Sequence, residues 1–181
     1  VLDKTEVIKA IGTLQGYNQS PMMVMTATKA EYAPALKVNP SANGVSYKYY
    51  EGICEKTDDI TKGKLVKSGT LPEPSLKEAM QPDHFAFIFS GYIKVPATGI
   101  YTFRTTSDDG SVLIIDGKTV VNNDGGHSAI SATGMIPLDA GFHSYRLLYF
   151  EDYEGESLDW DWKLPGEKKF SPIPAAALFL N

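Results

Sequence analysis

Residues 85–95, Phe-Ala-Phe-Ile-Phe-Ser-Gly-Tyr-Ile-Lys-Val, place Phe85, Phe87, Phe89, Gly91, Ile93 and Val95 at every second position. Successive side chains of a strand point to opposite faces, so this spacing predicts a long strand with one buried face. Pro96-Ala97-Thr98-Gly99 ends the run, and Tyr101, Phe103 and Thr105 open the next alternation, which predicts that the two strands form a hairpin. Further on, Val112 to Ile115 and Thr119 to Val121 flank Asp116-Gly117. That dipeptide is a strong hairpin signal, because both central positions of the tight turn need positive φ.

Working outward, Phe142 to Phe150 carries apolar or aromatic side chains on both faces and is expected to be a central strand. Leu158, Trp160, Trp162 and Leu164 alternate with Asp159, Asp161 and Lys163, so both tryptophans are expected in the core. Many strands at this turn spacing give an antiparallel sandwich or barrel. Toward the other end, Thr5 to Gly16 reads as a short hairpin turning at Gly12 and Gly16, and Met22 to Thr28 as a second strand-like run. Ala33-Pro34, Asn39-Pro40 and Asn43-Gly44 make residues 31–43 a linker.

The net charge of −5, with no basic tract, argues against a nucleic-acid surface, whose affinity comes from clustered Lys and Arg. No apolar run approaches the roughly 20 residues of a membrane helix. Cys54 is the only cysteine, which excludes an intramolecular disulfide, and no lowered thiol pKa is expected of it. The first residue is Val and no charged-then-apolar leader precedes it, so the chain is expected to be a processed or excised segment.

The order Gly91-Tyr92-Ile93-Lys94-Val95-Pro96, Thr98-Gly99-Ile100-Tyr101-Thr102-Phe103, Ser107-Asp108-Asp109-Gly110-Ser111 and Leu113-Ile114-Ile115-Asp116-Gly117-Lys118 resembles the protective-antigen-type lectin-like family. Leu138-Asp139-Ala140-Gly141-Phe142-His143, Tyr149-Phe150-Glu151 and Leu158-Asp159-Trp160 follow in the same order, and Tyr49-Tyr50-Glu51-Gly52 resembles the opening strand. The resemblance implies an all-β, antiparallel β-sandwich over residues 44–181, with a short N-terminal β-hairpin as the remnant of a preceding domain. Residues 1–30 resemble the tail of the small β-domain that follows some hexosaminidase barrels. That implies a family-twenty glycoside hydrolase (β-N-acetylhexosaminidase) as the parent, exported to the periplasm, the cell surface or the extracellular medium.

Asp108-Asp109 sets two carboxylates side by side on a loop, and hard oxygen ligands suit calcium. In the adhesin branch of the family the matching pair holds a calcium ion that coordinates sugar hydroxyls. The alternative is a structural turn whose carboxylates accept backbone N–H bonds. Further ligands are sought in the acidic stretch Glu151, Asp152, Glu154, Glu156 and Asp159, with Asp152 the candidate third metal ligand and a solvated loop the competing reading. Asn123 and Asp124 are candidate sugar contacts, and Tyr153 a candidate stacking platform beside the acidic loop. His84, His127 and His143 show no metal-ligand spacing.

No nucleophile elbow, zinc-protease pair or phosphate loop is present, so this segment is read as non-catalytic. Three functions are carried forward: a carbohydrate-binding accessory module, with calcium, whose partners are a glycan and the catalytic domain of the same chain; a structural accessory that shapes the catalytic cleft without binding sugar; and an adhesive surface domain.

Overall fold

A computed structural model describes residues 4–40 and 42–181. The chain divides into two units, Val1–Glu31 and Tyr32–Asn181. In the first, β1 (Glu6–Ala10) pairs antiparallel with β2 (Met23–Ala27). The hairpin is therefore wider than the expected Thr5 to Gly16 turn. Gly12 and Ser20 close its neck by two bonds, Gly12 N–H to Ser20 Oγ at 2.8 Å and Ser20 N–H to Gly12 O at 3.0 Å, and the chain reverses at Gly16, where φ is +85°. Short-range turn signals located Gly16, but pairing partners are chosen by register over the whole loop.

The second unit is an antiparallel sandwich. Its larger sheet contains β3 (Val45–Glu51), β4 (Lys64–Leu71), β5 (Phe85–Val95), β7 (Ser111–Ile115), β8 (Lys118–Asn123) and β10 (Gly141–Glu151). They run in the order β4-β3-β5-β10-β7-β8, and β13 (Leu178–Phe179) adds to β5 as the seventh strand. The smaller sheet is β12-β11-β6-β9, made of β6 (Gly99–Asp108), β9 (Ile130–Leu138), β11 (Ser157–Lys163) and β12 (Ser171–Pro172). The central position expected for Phe142 to Phe150 is observed, because β10 lies between β5 and β7.

One expectation is corrected. β5 and β6 do not form a hairpin: β5 pairs with β3 and β10 in one sheet, and β6 with β11 and β9 in the other. Pro96 to Thr98 is a corner between sheets. The Tyr101 hydroxyl pins it, donating to Ala97 O at 2.7 Å and accepting from Ala97 N–H at 3.2 Å. Gly99 packs so closely on Pro165 that a side chain there would collide with the ring. Period-two alternation identifies strands but carries no information on which sheet each one joins.

The inner faces of both sheets share one core. Phe85, Phe87, Phe89, Ile93, Tyr101, Phe103, Leu147 and Tyr149 are buried in it. Trp160 (9% exposed) and Trp162 (5%) lie inside as their parity predicted. Trp160 meets Tyr145 across the sandwich, with centroids 5.1 Å apart. Each such side chain contributes about 1.5–3 kcal/mol of burial, which fixes the facing of the sheets. The Asp116-Gly117 turn also forms as expected, with φ of +48° and +75°. A second apolar cluster lies on the outer side of the larger sheet, where Cys54 and Ile60 join Tyr50, Ala86, Ile88, Val112, Leu148 and Phe150. Ile60 belongs to a 3-10 helix, Thr57–Lys62, between β3 and β4.

The stretch from Ala33 to Leu36 is held on the sandwich by backbone pairing. Ala33 N–H donates to Pro137 O at 3.0 Å, Leu36 N–H to Phe142 O at 2.8 Å, and Asp139 N–H to Ala33 O at 2.9 Å. Proline suppresses helix in this stretch, and extended backbone is free to add to the strands beside it.

Candidate functional site

Three connections meet at one edge of the sandwich: the β6–β7 turn, the β8–β9 loop and the β10–β11 loop. The first holds Asp108-Asp109-Gly110, with the Asp108–Asp109 peptide bond cis. Gly110 is required by close approach. A side chain there would strike the Phe150 ring and come within 2.9 Å of the Gly125 backbone, so glycine lets the first two loops touch.

Asp108, Asp109 and Glu151 form a carboxylate cluster, each offering an oxygen within 4.8 Å of the others. Asp109 is 6% exposed. Its Oδ1 accepts from His127 N–H at 2.7 Å and its Oδ2 from Asp152 N–H at 2.9 Å, which ties the β8–β9 and β10–β11 loops to the β6–β7 turn. Asp108 Oδ2 accepts from Ala129 N–H at 3.1 Å. The two aspartates thus accept the backbone bonds expected of a structural turn, and they also stand beside a third acid. A carboxylate offers about four lone-pair sites, so these bonds leave acceptor capacity on both.

Glu151 is fully buried, and its Oε1 has no hydrogen-bond partner. Burial first, and then the Asp109 charge, push its carboxyl up to about 7. The Tyr149 hydroxyl lies 3.1 Å from Glu151 Oε2 and 2.6 Å from Asp108 O. One phenolic proton cannot serve both acceptors. A protonated Glu151 would resolve the conflict by donating to Tyr149, and burial and the neighbouring acid raise the Tyr149 pKa as well. A buried group of acids with an orphaned oxygen is relieved by a proton or by a cation.

The donor set consists of hard oxygens, so it fits a metal of the calcium or magnesium class rather than one preferring nitrogen or sulfur. The third carboxylate of the cluster is Glu151. Asp152, the third ligand expected from the sequence, contributes its backbone N–H, and its own carboxylate lies 3.0 Å from His84 Nδ1. The deciding signal was parity: Glu151 shares the inward face of β10 with Tyr145, Leu147 and Tyr149, and the next residue turns away.

The remaining candidates separate. Asn123 is buried, with Nδ2 donating to Ser107 Oγ at 3.0 Å and Ile130 O at 3.1 Å. Asp124 anchors the 3-10 helix, its Oδ1 accepting from Thr57 N–H at 2.8 Å and its Oδ2 from the Thr57 hydroxyl at 3.1 Å. Tyr153 is 66% exposed on the β10–β11 loop. That loop passes beside the cluster: a side chain at Gly155 would come within 3.0 Å of Asp108 Oδ2. All of the expected sugar contacts lie on the connections at this edge, but only Tyr153 is open to solvent, whereas Asp108, Asp109, Asn123 and Asp124 are engaged in internal bonds. His143, given no metal role, is buried with Nδ1 2.6 Å from Asp116 Oδ2 and Nε2 2.8 Å from Asp139 O.

A family model described as the PA14 domain matches residues 42–176. The chain belongs to the PA14 domain family. Solved structures of the same fold include an anti-sigma factor domain-containing protein, 20% identical with a TM-score of 0.65, covering 77% of this chain and 48% of that one. A PA14 sugar-binding domain from an RTX adhesin is 16% identical at a TM-score of 0.61, covering 78% and 100%. A subtype-switched epithelial adhesin A domain from Candida glabrata, solved with β-lactose, is 13% identical at a TM-score of 0.66, covering 84% and 95%. At these identities the likeness establishes the fold. The PA14 chain spans about half the length of the anti-sigma factor domain-containing protein. No curated protein matches it by sequence.

Proposed function

We propose that this PA14 domain is a non-catalytic glycan-binding module in which Asp108, Asp109 and Glu151 hold a calcium ion at the loop edge and Tyr153 offers a ring to the sugar. The observation that carries the reading is the buried carboxylate group with its unpartnered Glu151 Oε1. Bound there, a hard cation would take sugar hydroxyls into its shell, which needs about six to eight oxygens and so exceeds what three carboxylates supply. The chain's own part is to fix two of the acids through backbone N–H bonds and to wall the third from water. A PA14 sugar-binding domain and an adhesin A domain solved with β-lactose, both of the same fold, support the choice of ligand class.

The same proposal places the module in an exported protein, at the periplasm, the cell surface or the extracellular medium, attached to a β-N-acetylhexosaminidase of the family-twenty type. There it would raise local substrate concentration by tethering. A second reading, a structural accessory that packs on a catalytic domain, is favoured by the N-terminal unit. Val7, Ile8, Val24 and Met25 are exposed on its two-stranded sheet, and such a sheet alone is marginal in water.

Calorimetric titration with calcium, followed by N-acetylglucosamine and an oligosaccharide panel, tests the proposal against an Asp108→Asn/Asp109→Asn variant and chelator controls. Calcium-dependent sugar binding that disappears in the variant, with its melting transition retained, is the expected result. Silence in every titration of folded protein would overturn the lectin reading in favour of the structural accessory.

A further inference from the structure

The outer face of the larger sheet holds an open groove of about 930 Å³, unrelated to the carboxylate cluster. It lies beside the 3-10 helix segment that covers the rest of that face. Along β3 it extends from Tyr50 and Thr61 at one end to Ser46 and Asn181 at the other. Strand register sets its floor. In one cross-strand row Thr70, Ser46, Ser90 and Arg146 stand side by side, and in the next Ser68, Lys48 and Ile88. All of these side chains share the outward parity of their strands.

Lys48 and Arg146 are exposed, and neither lies in a salt bridge with any acid among the described residues. Among the described residues no acidic side chain lines the groove. Asp116, next to Gly117 at the groove's margin, is committed to Ser144 N–H at 2.9 Å and to His143, and Glu78, which accepts from the Tyr47 hydroxyl, is paired with Lys67. In a chain of net charge −5 this is a local excess of positive charge. The two cations flank β5, two strand spacings and one row apart, or about 12 Å between Cα atoms. The surface between and around them carries hydroxyls, each able to donate and to accept. Tyr92, partly exposed on β5, adds a ring face.

We propose that this groove is a second binding site, taking an acidic polysaccharide whose uronate carboxylates pair with Lys48 and Arg146 while the serine and threonine hydroxyls meet its sugar hydroxyls. The charge calls for an anion. The hydroxyl rows and the Tyr92 ring suit a sugar chain better than a bare polyanion, and two cations are too few for a nucleic-acid surface. The site needs no metal, and it stands or falls apart from the calcium reading.

The test is affinity electrophoresis and calorimetry of the full chain with polygalacturonate, in chelator. Dextran serves as the neutral control and polyphosphate as the polyanion without sugar. Binding of polygalacturonate above both controls is expected. A Lys48→Ala/Arg146→Ala variant should lose at least about tenfold in affinity, equivalent to about 1.4 kcal/mol. Both side chains are exposed, so its melting temperature should be unchanged. The Asp108→Asn/Asp109→Asn variant should bind as wild type does. The inference is overturned if polygalacturonate fails to bind, if polyphosphate binds as well, or if the loss follows the aspartates rather than the two cations.

Discussion

Replacing Glu151 by Gln should stabilise the metal-free protein at alkaline pH and leave it unchanged at acid pH. The carboxyl is raised from 4.5 to about 7 by burial and by Asp109, so the folded state holds its proton where the unfolded chain has released it. The Glu151 contribution to stability is therefore most favourable below about 4.5, falls as pH rises through the window to about 7, and carries the full penalty above it. At 1.36 kcal/mol per pH unit, that gap corresponds to roughly 3 kcal/mol. Gln is neutral throughout, has nearly the same shape, and its amide can donate to the Tyr149 oxygen as the protonated acid would. About 2–4 °C per kcal/mol is usual for a domain of this size, so the variant should melt up to about 6–12 °C above wild type at pH 8.5 and at the same temperature at pH 4.5. Thermal unfolding followed by circular dichroism in chelator measures it. An equal offset at both pH values would refute the reasoning, because it would mean that Glu151 carries no proton-linked penalty. With calcium at pH 8.5 the order should reverse, since the cation stabilises the ionised acid and the amide offers it no charge.

Two other outcomes follow from the loop packing. Asp124→Ala removes both acceptors from Thr57, whose side chain is buried, and should cost about 1–3 kcal/mol in urea unfolding, with faster hydrogen exchange across Thr57–Lys62. An unchanged exchange rate there would show that the helix does not depend on this anchor. Cys54 is buried, and desolvation first, with Asp59 adding to it, pushes its thiol up to about 11. A thiol reagent at pH 8 should therefore modify it only at the rate of unfolding, and rapid labelling of native protein would contradict the burial.

Alternation and turn chemistry in the sequence were enough to determine that this chain is built of antiparallel strands, that Trp160 and Trp162 lie inside, and that Asp116-Gly117 is a tight turn. Each of these rests on local rules, namely the two-residue period and the positive φ that few residues tolerate. The ordered motifs also pointed to the PA14 family and to Asp108 and Asp109. Only the tertiary structure decided the rest. It separated β5 and β6 into different sheets at the Pro96 corner, because pairing depends on packing between strands far apart in the chain. It gave Asp124 a structural bond to Thr57, 67 residues away. It placed Glu151 rather than Asp152 in the carboxylate cluster, since both are acids in one run and only the strand's facing buries the first. The Lys48 and Arg146 groove was hidden for the same reason: no short stretch contains it, and three strands, β3, β5 and β10, had to pair in register before two unrelated cations shared a face.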